Sequence, residues 1–414
     1  MKKRIIFDLV ALLAIAVGFF ALLYFQDPNA DFFQQLKDTD IKTLVDEALV
    51  ENGEYVKKQE LKEDMPQKTD KQNFVQPSVE ELKNCYYYSV LSEEEKIVYE
   101  EIYSSVKNRE ENSELSTVDP ELVEKIFKCV LNDHPQFYYV EGYSYMTYTR
   151  KDKIVKLEIT GNYSKTKEEC EVLDAQIENA VNKCFLGMPV GISDYEKVKY
   201  IYEYIITTTE YDLNSTDNQN ICSVFLNGKS VCMGYARAMQ YLLLEQDILC
   251  TIVNGTAQQG QEHAWNMVLL ENQYYHLDVT WGDNSYMEIN GETSQSGMPN
   301  FGFFCVPTEE ISKTHQINSI VPLPQCVAWE CNYYIKEGLY FTDLDTDKLA
   351  LVFEKAYATG DTYVEIKCSD SVVYRKISTY LIEEQNIFDY LDESKDTVSY
   401  YEGEDILLLE FWLK

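Results

Sequence analysis

The segments GKSVCMGYARAM (residues 228–239), HAWNMV (263–268) and YYHLDVTW (274–281) decide how the chain is read. They present a cysteine, a histidine and an aspartate in that order. Cys232, Ala236, Met239 and Leu243 follow at i, i+4, i+7 and i+11, one face of a helix that begins at the cysteine. A thiol at a helix N-terminus lies at the positive end of the dipole, which favours the nucleophilic thiolate. The first amides of such a helix have no intrahelical acceptor, so those of Cys232 and Met233 are open to a developing oxyanion. Gly234 allows close packing behind the thiol. The competing reading of Cys232 is a small buried hydrophobe, the usual state of a cysteine, and the chain has 11 cysteines.

His263 opens an alternating strand, and histidine is scarce, with four in the chain. Asn272 suits a turn, and residues 274–280 return as a second strand. In an antiparallel pair, directly opposite residues share a face. An even loop puts Asp278 opposite Trp265 or Met267, on the face of His263; an odd loop separates them. If they meet, the carboxylate orients the imidazole and the imidazole takes the thiol proton. His276 would share that face, where a packing role suits it. His134, in NDHP (132–135), suits a cap or turn.

The chain has 414 residues, 45% of them apolar, and a formal net charge of −34. It is long enough for two or three domains with a real core. The acidity argues against nucleic acid or an anionic membrane surface as a partner. The odd cysteine count leaves at least one thiol free or bonded to another chain. No metal-ligand spacing occurs among cysteines and histidines, so neither metal nor cofactor is expected.

The basic start, residues 1–4, precedes an apolar run at 5–25, long enough to span a bilayer. It reads as an uncleaved signal anchor (1–26), single-pass, with the bulk of the chain outside the cell. Residues 27–78 read as a stalk, the second half extended or disordered. Residues 79–192 read as an N-terminal domain of helices and a hairpin. Capping boxes at Ser92/Glu95 and Thr166/Glu169, and Asp119 before Pro120, mark helix starts. Ser193/Glu196 starts the first helix of a core at 193–320.

The three opening motifs resemble the core motifs of the transglutaminase-like superfamily, in order and at suitable spacing, and are similar to its bacterial exported members. Tyr211-Asp212 and residues 301–315 add to the resemblance, which covers about 194–315. It implies an α+β fold with a papain-like, transglutaminase-like core, Cys232 as nucleophile, His263 as base and acid, and Asp278 as orienter. It implies attack on an amide, a thioester, and transfer to an amine or water. His315 matches a family position read as structural. Animal transglutaminases use an upstream tryptophan as oxyanion donor; no tryptophan precedes Trp265 here, and Gln219 or Asn220 is the substitute considered.

Residues 321–414 read as a small α/β domain: a strand at 333–341, a helix at 347–358, a strand at 363–368, a helix at 373–390 and one or two strands at 398–413. Asp343, Asp345 and Asp347 imitate a calcium loop, but Lys348 takes the place that needs glycine; a helix-capping cluster is the reading. The expected function is a membrane-anchored extracellular cysteine enzyme acting on peptide or protein substrate in the cell envelope, leaning to hydrolysis. A crosslinking acyl transferase and a non-catalytic envelope scaffold are the alternatives.

Overall fold

The structure, a computed structural model, describes residues 56–62, 76–257, 260–283, 299–404 and 406–413. The expected anchor at 5–25 and most of the stalk lie outside the described residues. Among the described residues, no helix is long and apolar enough to cross a membrane.

Within the stalk expected to be extended or disordered, Val56–Lys62 forms strand β1, paired in parallel with β3 from Val56↔Gly142 to Lys62↔Tyr148. One side of its backbone is paired by the sheet, an addition to the edge of β3 that an unpatterned sequence did not reveal. The short helix α1 (Tyr86–Ser89) precedes α2 (Glu93–Asn108), opened by the Ser92/Glu95 capping box. Strand β2 (Ser113–Glu114) leads to α3 (Pro120–Asp133), with Asp119 as cap and proline at its first turn. Strands β3 (Val140–Arg150) and β4 (Lys153–Tyr163) form the expected hairpin. Lys151 and Asp152 join them, both at positive φ, as a two-residue turn requires. Sheet order is β1-β3-β4-β2. Helices α4 (Lys167–Gly187) and α5 (Asp194–Thr208) both start in capping boxes.

Strand β5 (Glu210–Tyr211) pairs in parallel with β6 (Lys229–Ser230), which delivers the chain to α6 (Cys232–Leu244). Then β7 (Cys250–Ala257), β8 (Gln261–Leu270) and β9 (Gln273–Leu277) form an antiparallel sheet. After α7 (Thr308–Ile311), strand β10 (His315–Ile317) joins its far edge, giving the order β10-β7-β8-β9. One face of β8 packs on α6: Asn266 Nδ2 donates to the Ala236 carbonyl at 2.9 Å, and Ala264 packs on Ala236. The other face carries Trp265 and Met267 into a core shared with α2 and α3. Helices α4 and α5 share a second core with α6 and β9. The β10-β7-β8-β9 sheet is thus clamped between elements drawn from both sides of residue 193.

The C-terminal segment folds as helices on a sheet of order β11-β12-β14-β13. Residues 333–341, expected as one strand, are the short helix α8 (Tyr333–Lys336) and only two strand residues, β11 (Tyr340–Phe341). Asn332 caps α8 through Tyr334 N, and Tyr333 stacks on Phe301 at 3.7 Å, a tertiary contact that overrides β propensity. Helix α9 (Thr346–Thr359) begins at Asp345, whose carboxylate accepts from Lys348 N, and β12 (Tyr363–Cys368) follows. The calcium-loop imitation is therefore a helix cap. The expected helix at 373–390 is broken into α10 (Ser371–Ser378), a π turn (Thr379–Glu383) and a 3-10 turn (Asn386–Asp389). Strands β13 (Ser399–Gly403) and β14 (Leu408–Trp412) close the sheet.

Candidate active site

Cys232 is the first residue of α6, and Val231 precedes it without a side-chain oxygen to cap the helix. The first amides are thus left without a side-chain cap. The turn that delivers the thiol is pinned by Ser230 Oγ, which bonds Ser223 Oγ at 2.6 Å and the Asn218 carbonyl at 3.2 Å. Gly234 fits against that knot: a Cβ there would lie 2.0 Å from Ser230 Oγ and 2.8 Å from the Asn218 carbonyl. Of the 11 cysteines, all unpaired, Cys232 alone is not buried.

The β8–β9 loop has even parity. Leu270 pairs with Gln273, and Glu271 and Asn272 between them both adopt positive φ, 50° and 62°. The ladder continues to Asn266↔Leu277, so the next step sets Asp278 opposite Trp265, diagonal to His263. His263 Nε2 donates to Asp278 Oδ2 at 2.7 Å. With Nε2 so committed, Nδ1 is the ring nitrogen left for the Cys232 thiol, a hydrogen-bond partner of the same imidazole. The hairpin thus brings His263 onto Asp278, and Cys232 at the start of α6 bonds the same imidazole.

Asp278 is fully buried and fully bonded. Its Oδ1 accepts from the amides of Thr280, at 3.0 Å, and Trp281, at 3.1 Å, as the DVTW segment curls round it. Its Oδ2 accepts a second donor, His315 Nε2, at 3.1 Å. Burial penalises the carboxylate, but the His263 charge and these hydrogen bonds hold it well below the usual range. Burial likewise penalises the His263 cation, but the Asp278 charge and hydrogen bond, with the Cys232 contact, hold it up at about 10. The buried pair is thus a carboxylate and an imidazolium.

The spacing of His263, Asp278 and His315 brings three potential metal ligands together. A tetrahedral ion with bonds of about 2.0–2.1 Å would hold its donors roughly 3.3 Å apart. The 2.7 Å contact is too short for that, and both imidazoles aim a donor at the carboxylate. The arrangement fits hydrogen bonds, not an ion.

His276 is buried on the far side of Trp265. The indole only donates, so His276 Nδ1 accepts from Trp265 Nε1 at 3.1 Å and Nε2 donates to Thr308 Oγ1 at 3.1 Å. Burial and the neighbouring His315 press it down to about 4. It is a neutral spacer, the packing role expected for it. His134 is the C-cap of α3, as expected, and bonds Tyr99. The two polar residues considered for the oxyanion are engaged locally: Asn220 Oδ1 accepts from Cys222 N, and Gln219 Nε2 donates to Asn218 Oδ1. His315, expected to be structural, also bonds Asp278. Its signal was scarcity, being one of four histidines, but nothing local tied it to Asp278.

Kyphoscoliosis peptidase of Mus musculus is 29% identical over 106 residues, covering 22% of this chain and 16% of that protein. The Homo sapiens protein of the same name is 28% identical over the same lengths. The chain therefore aligns with only 16% of these relatives' length. Among solved structures, a TGase covers 38% of this chain and 53% of its own, at 14% identity and TM-score 0.26. A candidate cysteine protease from Cytophaga hutchinsonii covers 30% and 52%, at 14% identity and TM-score 0.23. The family model of the transglutaminase-like superfamily matches residues 190–279, a span that holds Cys232, His263 and Asp278, so the chain carries a transglutaminase-like domain.

Proposed function

We propose that this protein is a cysteine enzyme acting on peptide or protein amides through a thioester on Cys232, with His263 as acid and base and Asp278 as its orienter. The observation that carries the reading is the 2.7 Å bond between His263 and a carboxylate held by three further donors. A cationic imidazole beside the only cysteine that is not buried supplies a counter-charge to the attacking sulfur and a proton for the departing amine.

The steps follow from those positions. Cys232 Sγ attacks the amide carbon, and the carbonyl π pair moves onto oxygen. The uncapped amides at the start of α6 donate hydrogen bonds to that oxyanion. The C–N bond breaks as His263 Nδ1 gives its proton to the departing amine, leaving an acyl thioester. The neutral imidazole then takes a proton from water as it attacks. The tetrahedral species collapses, releases the acid and returns the thiolate with its imidazolium. An amine entering in place of water would give transfer, so the same residues serve crosslinking; the reading leans to hydrolysis. The apolar run at 5–25 supports a membrane anchor with the catalytic part outside, which fractionation of the full-length chain checks.

The test is thiol reactivity. Limited iodoacetamide followed by peptide mapping should modify Cys232 first and leave the ten buried cysteines. At neutral pH it should react at least ten-fold faster than a free cysteine. Rates no faster than free cysteine would sink the reading. Peptide cleavage and amine incorporation, scored with Cys232→Ala as blank, then separate hydrolysis from transfer.

A further inference from the structure

His315 enters the site from a different part of the sheet. Strand β10 runs beside β7, with His315 opposite Ala257 and Ile317 opposite Gly255. Gly255 also lies opposite His263. A Cβ at Gly255 would lie 2.1 Å from the Gln316 carbonyl and 2.7 Å from the Trp265 ring. The missing side chain is what lets β10 close onto β7 with the indole beneath it. The His315 ring is then walled by Trp281 at 4.7 Å, Trp265 at 5.0 Å and Phe303 at 5.4 Å. Its side chain is fully buried. Thr314 Oγ1 lies 2.7 Å from Nδ1, while Nε2 faces Asp278 Oδ2.

Two imidazoles therefore share one carboxylate oxygen. Asp278 Oδ1 is already held by two backbone amides, and those fix its position along the chain. The His315 bond fixes the remaining freedom, the twist of the carboxylate about its own axis. It also draws on the same lone pairs that His263 uses. A second donor spreads the carboxylate charge and weakens its hold on the first.

We propose that His315 is a positioning residue of the reaction: through Asp278 Oδ2 it sets both the direction of the carboxylate and how firmly His263 keeps its proton. This rests on the reading of Cys232 and His263 given above. A merely structural His315 would affect folding alone, whereas a positioning one moves the pH range over which the amide is cleaved. The groups whose charge or hydrogen bonds act on His263 and Asp278 are each other, Cys232 from α6 and His315 from β10. Tyr202 from α5 donates to the Asp278 carbonyl, and His276 from β9 faces His315.

The experiment compares the pH dependence of peptide cleavage, which needs the His263 proton for the departing amine, from pH 5 to 11 in the wild-type full chain, His315→Gln and His315→Leu. In His315→Leu, Asp278 keeps His263 as its only side-chain donor and binds the imidazolium more tightly. The alkaline limb of the profile should move up by about 0.5–1 pH unit, with a lower plateau rate from the misdirected carboxylate. His315→Gln restores an N–H donor and should bring the limb back towards wild type. A folded His315→Leu protein with the wild-type limb overturns the proposal. If that variant does not fold, 15N-histidine spectra of the wild type decide. A His315 Nε2 that stays protonated across the reactive pH range supports it, and an unprotonated Nε2 overturns it. A wild-type Cys232 that is no more reactive than free cysteine would instead remove the underlying functional reading, so the two failures are distinct.

Discussion

His263 Nε2 and Asp278 Oδ2 stand 2.7 Å apart, at a sequence separation of 15 residues, because two residues, Glu271 and Asn272, turn one strand into the next. Both sit at positive φ, where a side chain other than that of glycine, asparagine or aspartate is strained. Asn272→Gly should raise stability by roughly 0.5–1 kcal/mol, because glycine suits this turn position best. Asn272→Val should lower it by about 1–2 kcal/mol. Thermal melting of the two variants checks the sign and order.

Asp278→Asn removes the charge that keeps His263 protonated. His263 is held at about 10 against burial, so without its counter-charge burial dominates and the imidazolium gives way below the ordinary value of 6.5. The alkaline limb of the turnover profile should move down by more than about 3 pH units, and the maximal rate should fall by roughly 10²–10⁴-fold. The stability linkage has the same sign in the wild type. The folded value of His263 is raised, so its contribution is complete below about 6.5 and is lost as pH rises through about 10. An unchanged profile in the Asp278→Asn protein would exclude this electrostatic account.

Gly234→Ala should destabilise by about 1–3 kcal/mol, because its methyl meets Ser230 Oγ at 2.0 Å. Adding Ser230→Ala should recover only part of the loss. Ser223 Oγ at 2.7 Å and the Asn218 carbonyl at 2.8 Å still crowd the site. Denaturant midpoints for the two singles and the double measure this coupling.

Asp133 and His134 titrate against each other. Burial pushes Asp133 up to about 7, against the hydrogen bonds it accepts from Tyr87 N, Tyr88 N and Tyr99 Oη. Burial presses His134 down to about 3. Asp133 contributes stability at low pH that is lost as pH rises through about 7. His134 contributes stability at high pH that is lost as pH falls from 6.5 towards about 3. Between pH 4 and 6.5 the two slopes oppose, each up to about 1.4 kcal/mol per pH unit. The pair should therefore add little net slope. His134→Gln should unmask Asp133, so that its stability, relative to wild type, rises as pH falls through this window. Urea midpoints at pH 4, 5 and 6.5 test it.

What the sequence by itself determined is local. The capping boxes at Ser92, Thr166 and Ser193 form because the partner lies three residues on. The α6 start at Cys232 and the β8–β9 hairpin are legible for the same reason, since period and turn chemistry act over short range. The motifs therefore named Cys232, His263 and Asp278. Only the tertiary structure decided the loop parity that joins the last two. It also decided the pairing of β1 with β3, the short helix at Tyr333 imposed by stacking on Phe301, and the breaks after Ser378. His315 is the clearest case. It is 37 residues from Asp278, and its place depends on β10 pairing with β7 over a glycine that lets the strand come close. Such contacts are set by which distant strands share a sheet and what they bury together, and no short window of sequence contains both partners.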